Sequence, residues 1–321
     1  MRNLIDYYIK YTEMVKDIND SARYAPEEMI SQMEGHYSRR IEEIANFINS
    51  LGEGHKLVML AGPSGSGKTT TAHKLTHCLK NMNAGAVKVS LDDFFLGKDK
   101  APKLPDGTQD TESINAINIP LMQKCLLELV NEGKSDLPIF NFKEEAPDKE
   151  RVNHIELENN DVVIVEGIHA LNPAVTACFP NTKLVKIYIS VKQGIMDVDT
   201  EVLSAVDMRL IRRLVRDYQF RGSSAQRTME MWTKVRIGER LYIDPHKHLA
   251  DITINSLHVY EPCIMKELAI PILDTLNPED SHYDKAQRLK QGLSRFAVIP
   301  LELVPESSLM REFSGGGMFS Y

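Results

Sequence analysis

HKLVMLAGPSGSGKTTTAHKL, residues 55–75, runs from an uninterrupted apolar stretch through a glycine-rich turn into a helical pattern. Its centre, Gly62 to Thr69, fits G-x-x-x-x-G-K-[ST]. Glycines let the backbone curl so that successive N–H groups converge on phosphate oxygens. The helix read from Thr69 to Lys80 points its positive end at the same anion. Lys68 can reach the β and γ phosphates, and the Thr69 hydroxyl can ligate Mg²⁺. Gly62, Ser64, Gly65, Ser66, Gly67, Lys68, Thr69 and Thr70 are the expected nucleotide-binding residues. With ordinary glycine, lysine and Ser/Thr usage, a chance match somewhere in the chain is on the order of one in a hundred. The flanking strand and helix lower that further, so the motif implies binding of a nucleoside triphosphate.

Working outward, five more apolar runs follow: AVKVSLDDFF, SDLPIFNF, DVVIVEGI, KLVKIYISV and ADITINS. Helical patterns lie among them at 69–80, 119–131, 204–220 and about 225–242. Apolar strands alternating with helices predict an α/β protein, a P-loop NTPase fold whose mostly parallel sheet is flanked by helices. Residues 1–54 read as a helical and peripheral extension, with Pro26 and an acidic first turn opening a helix that carries Ile41, Ile44 and Ile48 at helical spacing. Residues 55–278 form the expected catalytic domain, and 279–321 a C-terminal helix and tail whose glycines, in REFSGGG, predict a flexible turn.

The bulk numbers set bounds. The chain has 321 residues, a formal net charge of −7 and 42% hydrophobic residues, and a pI near 5.8. This balance argues against a general nucleic-acid coat, which draws on many cationic contacts to phosphate. No apolar run spans a membrane and the N-terminus has no signal-peptide core, so a cytoplasmic protein is expected. Cys78, Cys125, Cys178 and Cys263 lie far apart and predict reduced, mostly buried thiols. His73 and His77 are four apart on the phosphate-loop helix, but no third zinc ligand is evident, and Trp232 falls in a helical pattern as a core residue.

The triphosphate motif alone names no reaction. An Asn-Lys-x-Asp guanine-reading motif and a Leu-Ser-Gly-Gly signature are both absent, which argues against GTPase switches and ABC-type ATPases. VVIVEG places Glu166 at the end of an apolar strand, where a carboxylate can hold the Mg²⁺ water shell or merely close a turn. SLDDFF puts Asp92 and Asp93 at a strand end, the sheet edge where ligands sit. Either can serve as proton acceptor for a hydroxyl or as an ordinary Asx-turn residue.

AGPSGSGKTT, SLDDFF, PIFNF, VVIVEGIHAL and DMRLIRRLVRDYQFRG follow one another in an order that resembles the uridine kinase/phosphoribulokinase family. The likeness is strongest to its bacterial uridine kinase-like nucleoside kinase branch, without the N-terminal threonyl-tRNA synthetase-like module of longer members. It covers residues 55 to about 275, and VPESSLMREFSGGG looks like that branch's ending. The resemblance implies ATP and Mg²⁺ as cofactors and transfer to a nucleoside 5′-hydroxyl. Lys68 and Asp92 are then catalytic, Thr69, Glu166 and Asp92 associate with the metal, and Asp110 in DGTQDTES holds the ribose hydroxyls. The chain departs from the family at Gln109, where an aromatic residue is usual, and at Phe140-Asn141-Phe142, where Tyr-Asp-Phe is usual; a histidine expected just after is missing. Phe140 and Phe142 can stack on a base or pack in the core.

The same resemblance makes residues 203–245 an Arg-rich helical lid. Arg209, Arg212, Arg213 and Arg216 follow i, i+3, i+4, i+7 and form one stripe, with Ile211, Leu214, Val215 and Tyr218 expected to pack inward. Four guanidiniums on one face repel unless an anion arrives. The family places Arg213 near the ribose, and Arg216 and Arg221 near the transferred phosphates. The partner expected is a small molecule, a nucleoside, with no nucleic acid and no membrane; a homo-oligomer is compatible with the sequence. Two alternatives stay open: a phosphoribulokinase- or pantothenate kinase-like kinase of another small alcohol, and a regulatory protein that binds ATP without transferring phosphate.

Overall fold

The computed structural model describes residues 13–104, 107–141, 144–180 and 182–319. A two-residue strand β1 (Glu13–Met14) leads into helices α1 (Val15–Tyr24) and α2 (Pro26–Asn49). Then come β2 (Lys56–Ala61), α3 (Lys68–Asn81), β3 (Ala86–Ser90), α4 (Ile119–Glu132), and the strands β4 (Lys134–Asn141), β5 (Ala146–Glu156) and β6 (Val162–Glu166). A single turn α5 (Pro173–Thr176) precedes β7 (Lys183–Ser190), β8 (Ile195–Asp197) and β9 (Thr200–Leu203). The chain continues through α6 (Ala205–Arg221), α7 (Ala225–Gly238), β10 (Ile252–Asn255), α8 (Glu261–Leu273), α9 (Tyr283–Ser294) and the short α10 (Arg311–Ser314).

The main sheet is wholly parallel, in the order β10-β7-β2-β6-β3. Its central strands are buried on both faces because helices cover both, so their sequences read as unbroken apolar runs. Alternation shows only in the two cores: Val58, Leu60, Val162 and Ile164 face one, while Leu57, Met59, Val163 and Val165 face the other. Five of the six apolar runs join this sheet. SDLPIFNF does not: as β4 it pairs antiparallel with β5, with an irregular register at Pro138, a residue with no N–H to donate.

The N-terminal helices are not peripheral. Ile41, Ile44 and Ile48 of α2 are buried in the larger core, and the Tyr37 hydroxyl is 2.6 Å from Thr71 Oγ1 on the phosphate-loop helix. The tail is equally integral, since Leu309, Met310 and Phe313 are buried in the same core. The four thiols are free, with Cys125 and Cys263 buried and Cys78 and Cys178 partly so, and Trp232 is buried. Among the described residues no helix is long and apolar enough to cross a membrane.

Helix α6 begins with a capping box: Ser204 accepts from the Asp207 N–H while Asp207 accepts from Ser204, and it stops at Gly222 in the left-handed conformation. Its arginines are not an open stripe awaiting an anion. Arg212 is wholly buried; Nε and Nη2 donate to the two Glu261 oxygens at 2.6 and 2.7 Å, and Nη1 reaches Gly65 O at 3.1 Å. Arg209 is buried too and donates to Glu239 at 2.9 Å. Tyr218, expected to pack inward, is 48% exposed. The repulsion expected within one helix is relieved by acids from elsewhere in the chain. Removing one member of a buried ion pair strands the other, at about 3–5 kcal/mol. Glu261→Ala should therefore lower the free energy of unfolding in urea by about that amount, and a loss under about 1 kcal/mol would show that Arg212 is compensated in some other way.

Candidate active site

The sheet register lines up the site. Ser90 stands opposite Glu166, and Glu166 opposite Leu60, so the loops after β3, β6 and β2 leave the same edge side by side. That brings Asp92, Glu166 and the glycine loop together although 104 residues separate Gly62 from Glu166. A Cβ at Gly62 would lie 2.2 Å from Ile189 O, and one at Gly65 would lie 2.8 Å from Arg209 O. Gly65 and Gly67 hold φ of +73° and +86°, a region that disfavours side chains. Within this loop the Ser66 hydroxyl is buried with no hydrogen-bond partner, 2.7 Å from where a Cβ on Gly62 would lie. Loop, orphan hydroxyl and helix N-terminus together fit a phosphate chain.

Three ionisable groups meet at that edge. Burial pushes Glu166 up to about 7, opposed by the Lys68 charge and reinforced by Asp92. Ser90 Oγ lies 3.5 Å from a Glu166 oxygen. Asp92 is raised by desolvation, while Lys68 and Arg221 pull it back towards the ionised form. Asp93 is turned elsewhere: it accepts the Phe140 N–H at 3.3 Å, so of the two candidate carboxylates it pins the β4 hairpin. Among the described residues no cluster of three His, Cys, Asp or Glu could hold an ion alone. The donor set of Thr69 hydroxyl, Glu166 and Asp92 fits Mg²⁺ completed by phosphate and water, which is how that ion is usually held.

Three arginines of α6 converge on one buried carboxylate. Asp217 accepts from Arg216 Nε and Nη2 at 2.9 and 2.8 Å, lies 3.1 Å from Arg213 Nε and 3.7 Å from Arg221 Nη1. Arg213 also donates to Ser64 Oγ at 2.9 Å, tying the helix to the phosphate loop. One negative charge against three positive ones leaves an excess of cation beside the glycines.

On the acceptor side, Asp110 is buried and accepts the Tyr242 hydroxyl at 2.5 Å. Lys234 Nζ reaches Thr108 Oγ1 at 3.2 Å, and a Cβ at Gly238 would strike Glu112 at 2.4 Å. Helix α7 thus rests closely on residues 108–112. Burial raises Glu112 to about 7, while Arg213 opposes the shift and Asp92 adds to it. His169 is buried, held near 4 by desolvation, and its Nε2 lies 2.9 Å from Glu112 O. Phe140 is packed edge-on to Phe95, rings 5.5 Å apart, and sits in the core; Phe142 lies outside the described residues. The helix expected to run to 242 changes to a π turn at Glu239–Ile243, which brings Tyr242 onto Asp110.

One cleft, of about 590 Å³, is lined by Pro63, Ser190, Arg209 and Glu239 among others, and by none of Lys68, Asp92, Asp110 or Glu166. Glu112, Tyr242, Glu239 and Glu312 escape sequence reading because each is defined by a partner far along the chain. Only Asp217 carried a local signal, as the lone acid four residues from Arg213.

Residues 57–261 match the Phosphoribulokinase / Uridine kinase family. A uridine kinase of Saccharomyces cerevisiae is 30% identical over 207 residues, covering 63% of this chain and 37% of that protein. Uridine kinases of Lactobacillus helveticus and Staphylococcus haemolyticus are 26% and 29% identical, covering 62% of this chain and 85% and 86% of theirs. The chain therefore spans well under half of the yeast relative's length and most of the bacterial ones. A solved structure of a possible uridine kinase from Bacillus stearothermophilus aligns at a TM-score of 0.46 and 15% identity, over 67% of this chain and 97% of that one. With the phosphate loop, the strand-end acids and the arginine-bearing helix in one alignment, the chain belongs to the phosphoribulokinase/uridine kinase family of phosphotransferases.

Proposed function

We propose that this protein is an ATP-dependent kinase that moves the γ-phosphoryl group of Mg²⁺-ATP to the 5′-hydroxyl of a uridine- or cytidine-like nucleoside. The observation that carries this reading is the row formed by Lys68, Asp92 and Glu166 at one sheet edge, facing arginines gathered on Asp217. Asp92 is the proton acceptor: desolvation raises its affinity for a proton above a free carboxylate's, and the Lys68 and Arg221 charges oppose that rise. Lys68 neutralises the β and γ phosphates, and the glycine loop fixes their direction. Thr69, Glu166 and Asp92 would hold Mg²⁺ or its water shell, and the ion would supply positive charge against the phosphates. Arg213, Arg216 and Arg221, pre-gathered by Asp217, supply positive charge where negative charge develops. Asp110 takes the vicinal ribose hydroxyls once Tyr242 yields it, since a carboxylate accepts from two donors at once.

A kinase of another small alcohol is favoured by one observation. Phe140 is packed in the core, so the ring best placed by sequence to stack on a base is engaged elsewhere. A panel of nucleosides and sugar alcohols with Mg²⁺-ATP, scored for phosphorylated product, separates the readings. Phosphorylation of uridine or cytidine supports the first; product from pantothenate or ribulose 5-phosphate alone selects the second, and no turnover at all leaves an ATP-binding regulator.

Asp92→Asn should lower kcat by roughly 10²–10⁴ while leaving ATP binding intact in a calorimetric titration. Retained turnover would remove Asp92 from the base role. Arg216→Ala should cut kcat by about 10³ with a much smaller change in KM for ATP. Asp217→Asn, which releases three arginines at once, should reduce kcat with the fold intact by circular dichroism, and an unchanged rate would show that the gathering is irrelevant to transfer.

A further inference from the structure

The C-terminal segment ends against the phosphate loop, and one of its side chains occupies donors the loop needs. Glu312 Oε2 accepts the Thr70 N–H at 3.2 Å and the Thr70 hydroxyl at 2.7 Å, across 242 residues of sequence. Thr70 is wholly buried and Glu312 nearly so. Thr70 lies in the first turn of α3, and the N-cap, Gly67, has no side chain with which to cap that turn. An anion is the natural guest there, and a carboxylate from the tail is the anion present.

We propose that Glu312 is a residue of the nucleotide site: it holds the two Thr70 donors in the nucleotide-free protein and yields them to a phosphate of the incoming triphosphate. The inference rests on the reading that the glycine loop binds ATP. An ionised carboxylate and a phosphate are both acceptors only, so the two cannot share one N–H and one O–H. They also repel at contact distance. The Glu312 charge already reaches the cradle, since it is among the acids that push Glu166 upward.

The segment is anchored by contacts that do not involve the Glu312 carboxylate. The Ser308 hydroxyl donates to Glu34 on α2, which also accepts the Tyr260 hydroxyl at 2.6 Å. A Cβ on Gly67 would fall 2.4 Å from the Leu309 side chain, so the leucine lies directly on the loop. The Phe313 ring packs under the Arg212 guanidinium at 5.2 Å. The Glu312 side chain can therefore change partner while Leu309 and Phe313 remain seated. A plain structural latch would look similar in the free protein, but it predicts the opposite response: removing it would loosen the site and weaken nucleotide binding.

The test is a calorimetric titration of the full chain and of Glu312→Ala and Glu312→Gln with Mg²⁺-ATP, inorganic triphosphate and adenosine. Glu312→Ala should bind ATP and triphosphate about tenfold more tightly, the weight of one charge-assisted hydrogen bond, with adenosine unchanged. Glu312→Gln keeps an acceptor without the charge and should fall between; being isosteric, it carries the test if the alanine variant melts early. Equal or weaker ATP binding by folded variants, beside a wild type that binds and transfers, overturns the inference and leaves the kinase reading standing. Binding by the variants but not by the wild type supports it in its strongest form. Failure of every protein to bind ATP or triphosphate would overturn the kinase reading, and this inference with it.

Discussion

The Arg212 guanidinium has no exposed surface, and its donors go to three separate parts of the chain. It forms a fork onto Glu261 at the start of α8, bonds to Ser256 after β10, and donates to Gly65 O within the phosphate loop. A glycine loop that must approach phosphate closely cannot be braced by side chains of its own. The bracing comes from outside, where Arg209 reaches Ser64 O and Arg213 reaches Ser64 Oγ beside the Arg212 contact. Helix α6 therefore also fixes the curvature of the cradle, and its position is set by buried charge pairs that tolerate little displacement. The packing of α6 and the shape of the phosphate loop are one constraint.

That constraint divides the arginines by depth. Arg209 and Arg212 are matched by Glu239 and Glu261, carboxylates from other elements, and their charge is consumed structurally. Arg213, Arg216 and Arg221 share the single Asp217 and retain excess positive charge, and the Arg221 charge reaches Asp92. The change of partner falls between the adjacent residues Arg212 and Arg213, and it is drawn by the supply of acids. Arg221 is more than half exposed, so its 3.7 Å pair contributes little to stability, and its reach towards Asp92 matters more.

The sequence was most informative where local chemistry and global position coincide. The glycine loop, the buried strands and the strand-end acids Asp92 and Glu166 each announce themselves within a few residues, because a doubly covered parallel strand reads as an apolar run and a phosphate loop needs glycine at fixed spacing. β5 is invisible by the same logic: its residues are mostly exposed and polar, so no burial period marks it. Among the arginines, i, i+3, i+4 spacing located the stripe but not its partners. Glu239 and Glu261 lie 30 and 49 residues downstream, and nothing near them encodes the pairing. The tail was legible only in part. Gly315 and Gly316 do take the positive φ of a turn, but no period in the residues before them announces that Leu309, Met310 and Phe313 are buried in the main core.

Several polar groups of the site already have internal partners. Asp110 holds the Tyr242 hydroxyl, Thr70 holds Glu312, and the outer arginines hold Asp217. Buried donors and acceptors are seldom left empty, so a site built to take polar ligands needs internal stand-ins of the same chemistry. The Tyr242 hydroxyl on Asp110 and the carboxylates of Glu312 on Thr70 and of Asp217 on the arginines meet that need. Binding then exchanges one hydrogen bond for another, and an exchanged bond contributes far less to affinity than a newly made one. Interactions without an internal rival, such as the buried Ser66 hydroxyl and the convergent loop glycines, are left to supply most of the net attraction. By this logic affinity for a phosphate chain comes from the loop donors that have no internal partner to displace.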